Sequence, residues 1–431
     1  MIELIKNKPA YLYFVVISFL IIVYGGDSAI VLLPAFALIA YGGKNLLYPF
    51  IALLLLLPLA DSTFAFAQVA YNTRPILLIL LALLIITDKS ISPKSDWSFN
   101  YFIPYFLIVA YYIVDLTDIN NILKPISYFL VILITPVIVK AILRYNRDSF
   151  LRITILLYTL VYVLSFLNIG ENRALQEYGR FSGIFINPNA LGIFSFLFFM
   201  LSTIIFKYQP QLFTKWERYL VTGLIIAGVI YSRSRSGMFA ILLFWLSLIV
   251  YEKHQFKGLV ILWGIALILN YSISFEEIIR KLGLAEFFRL DTLKTGSGRS
   301  IAFAYAWDRI RVSPFSGGGI GFTEKYFAKN AEELAIKGHV GDVHNSFLYI
   351  WLELGLAGLF FFIYGWYNWL KKTFTYSKII LPIGIAVLFS VNIEDWLIGS
   401  LNHVTIQLII ILSLLSSPEF YKSTSLVNDR S

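Results

Sequence analysis

The chain has 431 residues, 58% of them hydrophobic and only 14% charged, with a mean hydropathy of +0.75. Soluble globular proteins carry about 25% charged residues, so a soluble fold is excluded and an integral membrane protein is expected. The absence of cysteine excludes disulfides and thiolate metal sites. The formal charge of +9 would suit a nucleic-acid binder, but its distribution along the chain argues for topology instead.

The N-terminus, MIELIKNKPAYLYFVVISFLIIVYGG, has the basic start and apolar centre of a signal peptide. It lacks an A-x-A cleavage site and further spans follow it, so it is expected to remain as the first span. About 20 apolar residues are needed to cross a bilayer as a helix. On that basis the sequence predicts spans near 9–25, 28–42, 46–60, 74–87, 99–115, 120–140, 150–168, 187–206, 216–232, 236–251, 257–271, 346–369, 378–392 and 402–417. The pair 28–42 and 46–60 is short and reads equally as a re-entrant hairpin. The expected fold is therefore an all-α polytopic membrane protein with 12–14 transmembrane helices, and either count places both termini on one side.

Lysine and arginine are enriched in cytoplasmic loops. With both termini cytoplasmic, the cytoplasmic loops hold 19 Lys/Arg, including Lys140, Arg144, Arg147 and Arg152 in one loop and Lys371, Lys372 and Lys378 in another. The short external loops hold six: Arg74, Lys124, Arg173, Arg180, Arg233 and Arg235. The excess of positive charge is thus a topology signal, and no nucleic-acid partner is expected.

Residues 272–345 form the one stretch large enough to fold outside the membrane, within what is otherwise a single integral membrane domain over 1–431. In "GSGRSIAFAYAWDRIRVSPF", Arg299, Phe303, Ala306 and Ile310 recur at helical spacing. Ser297 or Ser300 is expected to cap this helix and Pro314 to stop it. Gly296 and Gly298 would let an anion approach the N–H groups at its start. "SGGGIGF" (316–322) reads as a flexible turn, either a lid hinge or, the preferred reading, a plain connector. "KNAEELAIKGH" (329–339) reads as a short solvated helix.

The external arginines stand against the charge rule and need a reason. Arg233 and Arg235 share the tight turn "YSRSRSG", where two guanidinium groups repel unless an anion lies near them. Arginine's planar fork suits a diphosphate, since it gives paired charge-assisted hydrogen bonds and stays protonated. The competing reading is that these side chains snorkel to lipid headgroups. Arg180 opens "GRFSGIFINPNALG", in which Asn187, Pro188 and Asn189 break the chain where a span begins, and irregular polar backbone at that depth is tolerated mainly where it lines a cavity.

"INPNALGIF", "SRSRSGMF", "GSGRSIAFAYAWDRIRVSPF" and "VHNSFLYIWLELGLAGLF", in this order over residues 180–400, resemble the O-antigen ligase/polymerase superfamily of bacterial envelope enzymes. The resemblance implies an oligosaccharide donor on undecaprenyl diphosphate at the periplasmic face of the inner membrane, a glycan or lipid A–core acceptor, surrounding membrane lipid and a chain-length regulator as a partner protein. It assigns Arg235 and Arg299 to the diphosphate, with Arg180 as a looser match, and His344 to the acceptor side; Arg233, in the same tight turn as Arg235, joins the diphosphate-binding candidates on the charge argument above. It also implies an acidic residue before the last span, for which Glu394 and Asp395 both qualify. Asn345, beside His344, joins the supporting residues with Asn187 and Asn189.

Four histidines are present. His254 reads as cytoplasmic and solvated, and His403, near Glu394 and Asp395 in sequence, as structural. His339, His344 and Asp342 make a poor metal set because they do not share one helix face, so no metal and no cofactor is expected. His344 is of the side-chain type suited to taking a proton from an attacking sugar hydroxyl, although an N-cap role would also fit. Fixed arginines would neutralise the lipid diphosphate as it leaves. Glu353, inside a span, is expected to pair or to hold that span against a neighbour. Within the family a polymerase is preferred over a ligase, because the segment before "VHNS" is compact. The reading from another class is a polysaccharide-lipid transporter or flippase, which would place its charges at mid-bilayer and show inverted repeats.

Overall fold

The structure is a computed structural model that describes residues 8–88, 98–113, 119–170, 175–176, 179–271, 283, 298–399 and 401–422. The architecture is all-α. Four helices are long and apolar enough to cross a membrane, at Ala67–Thr87, Asn121–Leu167, Pro188–Tyr208 and Ser346–Tyr376, and shorter apolar helices stand among them. In chain order the helices are α1 Pro9–Tyr24, α2 Ala29–Tyr41, α3 Leu47–Ala60, α4 Ala67–Thr87, α5 Ile103–Tyr112, α6 Ile119–Leu167, α7 Pro188–Tyr208, α8 Lys215–Ser232, α9 Arg235–Tyr271, α10 Arg299–Val312, α11 Phe322–Lys329, α12 Ala331–Ile336, α13 Ser346–Tyr376, α14 Ile380–Val391, α15 His403–Leu415 and α16 Pro418–Tyr421.

One of these departs from the expected spans, and another is broken within the expected connection. The segments 120–140 and 150–168 meet in α6, which breaks at Asn146 (φ −137°, ψ 30°). Asn146 donates to Asn45 Oδ1 (3.1 Å), Asn45 donates to the Tyr11 hydroxyl (2.9 Å), and that hydroxyl donates back to Asn146 Oδ1 (3.4 Å). This polar triangle fastens three chain segments at one end of the bundle. The segments 236–251 and 257–271 are joined as the single helix α9. Between them, "YEKHQFK" contains neither proline nor glycine, so its backbone continues to satisfy its own hydrogen bonds. His254 therefore stands within a helix rather than in a loop.

The short helix α3 is buried along its whole length except at Tyr48. A helix apolar on every side has no face to give to water and belongs in a core. It packs between α4, α2 and α6 and runs out at Asp61. Helices α7, α8 and α9 form a second group. There α7 and α9 approach through Gly192 and Gly237, where a Cβ on Gly237 would lie 2.6 Å from the Gly192 carbonyl oxygen. Gly237→Val is therefore expected to destabilise the protein by about 1–3 kcal/mol, measured as a lower apparent melting temperature in detergent.

The segment 298–345 covers one end of the bundle. Its helix α10 buries Ala302, Ala306 and Ile310, which join Phe327, Leu334 and Val343 in a small core against Tyr349 and Leu352 of α13. Phe303 is only partly buried, so the buried face is centred one residue earlier than the expected Arg299–Phe303 row. Gly298 precedes the helix and no side chain caps it, so Ser300 does not serve as the cap; Ser297 and Gly296 lie outside the described residues. The solvated helix appears as α12, with only Leu334 buried.

The glycine-rich stretch 316–322 is a pinned connector. Helix α13 is broken at Gly355, whose φ of 65° and ψ of −171° suit glycine alone. That break frees backbone groups inside an apolar bundle, where each needs a partner. The connector supplies them: Gly318 N–H donates to Leu352 O (2.7 Å), Gly319 N–H to Glu353 O (2.8 Å), and Leu356 N–H to Pro314 O (3.0 Å). The Glu353 carboxylate accepts from Gly321 N–H at 2.9 Å. The buried carboxylate thus holds its span to the connector, and the segment 298–345 is fastened to the helix that follows it.

Candidate functional site

Arg180 sits in β2 (Arg180–Phe181), paired antiparallel with β1 (Leu175–Gln176). This two-stranded turn aims its guanidinium at the start of α7 and the end of α8. Nη2 donates to Asn189 Oδ1 at 2.7 Å and Nε donates to Ser232 O at 3.2 Å. Asn187 is the N-cap of α7, its side chain accepting from Asn189 N–H at 2.7 Å, with Pro188 at the first helical position. The "INPNALG" motif therefore builds a helix start that presents Asn189 to Arg180. Arg173 lies outside the described residues.

The "SRSRSG" turn joins α8 to α9. Arg233 closes α8 in the left-handed region (φ 47°), and Arg235 opens α9. The serines organise the turn: Ser234 N–H donates to Ser232 Oγ (3.2 Å), and the Ser234 and Ser236 hydroxyls are 3.2 Å apart. Ser236 then donates to Glu394 Oε1 at 3.1 Å.

That same Glu394 oxygen accepts from Arg299 Nη2 at 2.5 Å. Of the two acidic candidates, Glu394 is the one that meets the arginine. It is 4% exposed and is held among Arg299, Ser236 and His344. Burial pushes its carboxyl above the ordinary range, against the pull of Arg299 and His344. Arg299 Nε is buried without a hydrogen-bond partner among the described residues.

His344 stands on the connection from α12 to α13 in the left-handed region (φ 47°), uncommon for a non-glycine residue and often found at functional positions. The N-cap of α13 is Asn345, whose Oδ1 accepts from Phe347 and Leu348 N–H (2.9 and 3.0 Å), so the imidazole is not spent on capping. The Asn345 side chain donates to Asn392 O (2.9 Å) and Ser346 to Glu394 O (3.1 Å). These two bonds lock the histidine's segment to the one carrying Glu394.

The His339 ring lies 5.7 Å from that of His344 at 80°, and its Nε2 is 3.1 Å from Gly341 O. Gly298, where α10 begins, packs directly against Gly338 O and His339. His339 therefore couples the start of the Arg299 helix to the His344 segment. Burial pushes its imidazole below the usual value. Asp342 is held above the ordinary carboxylate range by burial first and then by Asp395 and Glu324. Among the described residues no group of three or more His, Asp or Glu side chains gathers in metal-ligand fashion.

The structure thus brings Arg180, the Arg233–Arg235 turn, Arg299 with Glu394, and the His344 segment to one end of the bundle. Asp395 borders the site through Asp342 and does not pair with Arg299. Ser236 was not singled out from the sequence, and His339 was weighed there only as a metal ligand. The only signal for Ser236 was its place in the arginine turn, and the only signal for His339 was its spacing from His344. His403, read as structural, is buried, and its ring nitrogen lies 2.9 Å from an Asp61 carboxylate oxygen.

Residues 220–363 match the family model described as O-antigen ligase. That segment runs from α8 through the arginine turn, α10 and His344 into α13, and the match supports the O-antigen ligase/polymerase superfamily implied by the four motifs. No curated protein matches the chain.

Proposed function

We propose that this chain, which carries an O-antigen ligase family segment, is a multi-pass inner-membrane glycosyltransferase. On this reading it moves an oligosaccharide from undecaprenyl diphosphate to an acceptor sugar hydroxyl, without a metal, as a surface-polysaccharide polymerase. The site-bearing end of the bundle faces the periplasm, as the Lys/Arg bias indicates. The observation that carries the reading is the Arg299–Glu394–Ser236 junction beside His344, with Arg180 tied to the other side of the same turn.

Each group has a task. Arg180, Arg233, Arg235 and Arg299 bind the diphosphate. His344 takes the proton of the acceptor hydroxyl as its oxygen bonds to the anomeric carbon. The bond from that carbon to the diphosphate oxygen breaks, its electron pair stays with the diphosphate, and the guanidinium groups stabilise the charge that develops. A single displacement inverts the anomeric centre. Glu394, Asn187, Asn189 and Asn345 hold these groups in place.

The compact core of the segment 298–345 supports a polymerase, since its described residues pack on α13 and form no separate docking module. The family description favours a second reading, transfer to lipid A–core by a ligase. Purified protein supplied with a defined undecaprenyl-diphosphate oligosaccharide, with and without lipid A–core, separates the two on a gel. A ladder from the donor alone is the expected outcome. A single shifted band that requires the core would establish the ligase, and transport in vesicles without any glycan transfer would displace both.

A further inference from the structure

Away from the arginine turn, a second, partly buried polar cluster joins the N-terminal bundle to the loop that carries Arg180. Asp61 ends the buried helix α3. One of its carboxylate oxygens is 2.9 Å from His403 Nδ1, and the other accepts from Arg74 at 3.4 Å. The same Arg74 nitrogen donates to Leu401 O at 2.7 Å, and the guanidinium lies 4.2 Å above the Tyr71 ring. His403 is 3% exposed.

The cluster grips the Arg180 loop at Ile184 and Phe185. The His403 ring stacks on Phe185 at 4.8 Å and 25° and meets Phe194 of α7 at 5.4 Å. Immediately after Asp61, Ser62 forms a β-bridge with Phe185, and Thr63 N–H donates to Ile184 O at 2.7 Å. Ile184 N–H donates to Ser165 Oγ at 3.1 Å. Within five residues on either side of Ile184 stand Arg180 and the Asn187–Asn189 helix start that it bonds. His403 Nε2 is buried with no partner among the described residues. Packing alone would be served by an apolar ring here, and what the imidazole adds is its contact with Asp61.

We propose that Asp61, His403 and Arg74 are positioning residues for the donor site, in that they fix the loop at Ile184 and Phe185 so that Arg180 and Asn189 meet the diphosphate. The inference rests on the diphosphate reading above. It gives the N-terminal bundle, which lies outside the matched segment, a part in donor recognition. The three residues do not touch substrate, and their effect passes through the loop they clamp.

The test is a double-mutant cycle between Asp61→Asn and Arg180→Ala, read as binding of an undecaprenyl-diphosphate saccharide to the full chain in detergent, with acceptor KM measured alongside. Asp61→Asn keeps the shape and removes the charge. It is expected to weaken donor binding about tenfold, the worth of one hydrogen bond to a charged group, with acceptor KM unchanged. In the Arg180→Ala background the same change is expected to cost less than about twofold, because coupled sites are not additive. His403→Phe, which keeps the ring against Phe185, should reproduce the loss and serves if Asp61→Asn fails to accumulate. A full, additive loss in the Arg180→Ala background, or a parallel rise in acceptor KM, overturns the inference while leaving the diphosphate site standing. Absence of donor binding by the unaltered chain overturns both.

Discussion

His344→Ala is expected to accumulate in the membrane like the unaltered chain and to lose about 10²- to 10⁴-fold in kcat, the usual contribution of a positioned general base. The structure makes this variant informative. Helix α13 is capped by Asn345, and the neighbouring segments are held by Asn345 and Ser346 rather than by the imidazole. Removing the ring therefore leaves the bonds that place its backbone. The loss should fall on kcat, with donor affinity little altered. Turnover of His344→Ala within a factor of a few of the unaltered chain would assign the proton to another group. His339 is the less suited alternative, being 1% exposed, with its imidazole depressed by burial.

The second large effect is expected at Arg299 and Arg235. Each charge-assisted hydrogen bond is worth about 1.5–3 kcal/mol, so Arg299→Ala and Arg235→Ala should each weaken capture of the lipid diphosphate roughly 10- to 100-fold. Arg299→Ala has a further consequence, since it strips a buried carboxylate of its ionic partner. Loss of one member of a buried pair costs about 3–5 kcal/mol, so this variant is also expected to melt earlier. Arg299→Lys separates the two effects. The ammonium restores charge beside Glu394 and with it much of the stability, but a point charge does not reproduce the fork that grips a diphosphate. Melting should recover and donor affinity should stay low. Undiminished donor binding by both alanine variants would remove the arginines from the site.

Most of the helices were legible because an apolar run of membrane length has few alternatives in sequence or in space. The starts were sharpest where local chemistry decides them, as at Asn187–Pro188 and at Asn345, and blurred where only polarity marked a boundary. "YEKHQFK" reads as a loop by composition but continues as helix, since nothing in it disrupts the backbone. The break at Gly355 runs the other way: nothing in "WLELGLAG" distinguishes this glycine from those that pack inside helices. Its role becomes visible only when Gly318 and Gly319 are seen to satisfy the carbonyls that the break exposes. For the same reason the "SGGGIGF" connector suggested mobility from its composition, while its structure is set by a distant segment.

The site was readable in part because charge in the wrong place demands an explanation. Arginines in short external turns and a histidine at the end of a span both run against topology, and they meet at one end of the bundle. Pairing was not readable. Glu394 and Asp395 are adjacent and chemically alike, and only the fold turns the first toward Arg299 and Ser236. Asp61 and His403 are separated by nearly the whole chain, so a sequence without an alignment gives no reason to connect them.

In the proposed donor site, guanidinium groups from separate chain segments hold one pyrophosphate beside an imidazole. A cryo-electron microscopy structure of the protein bound to an undecaprenyl-diphosphate saccharide tests this most directly. Its two phosphorus atoms should lie against Arg180, Arg235 and Arg299, with the anomeric carbon facing His344. Phosphate density anywhere else on the molecule, with that cluster empty of ligand, would contradict it.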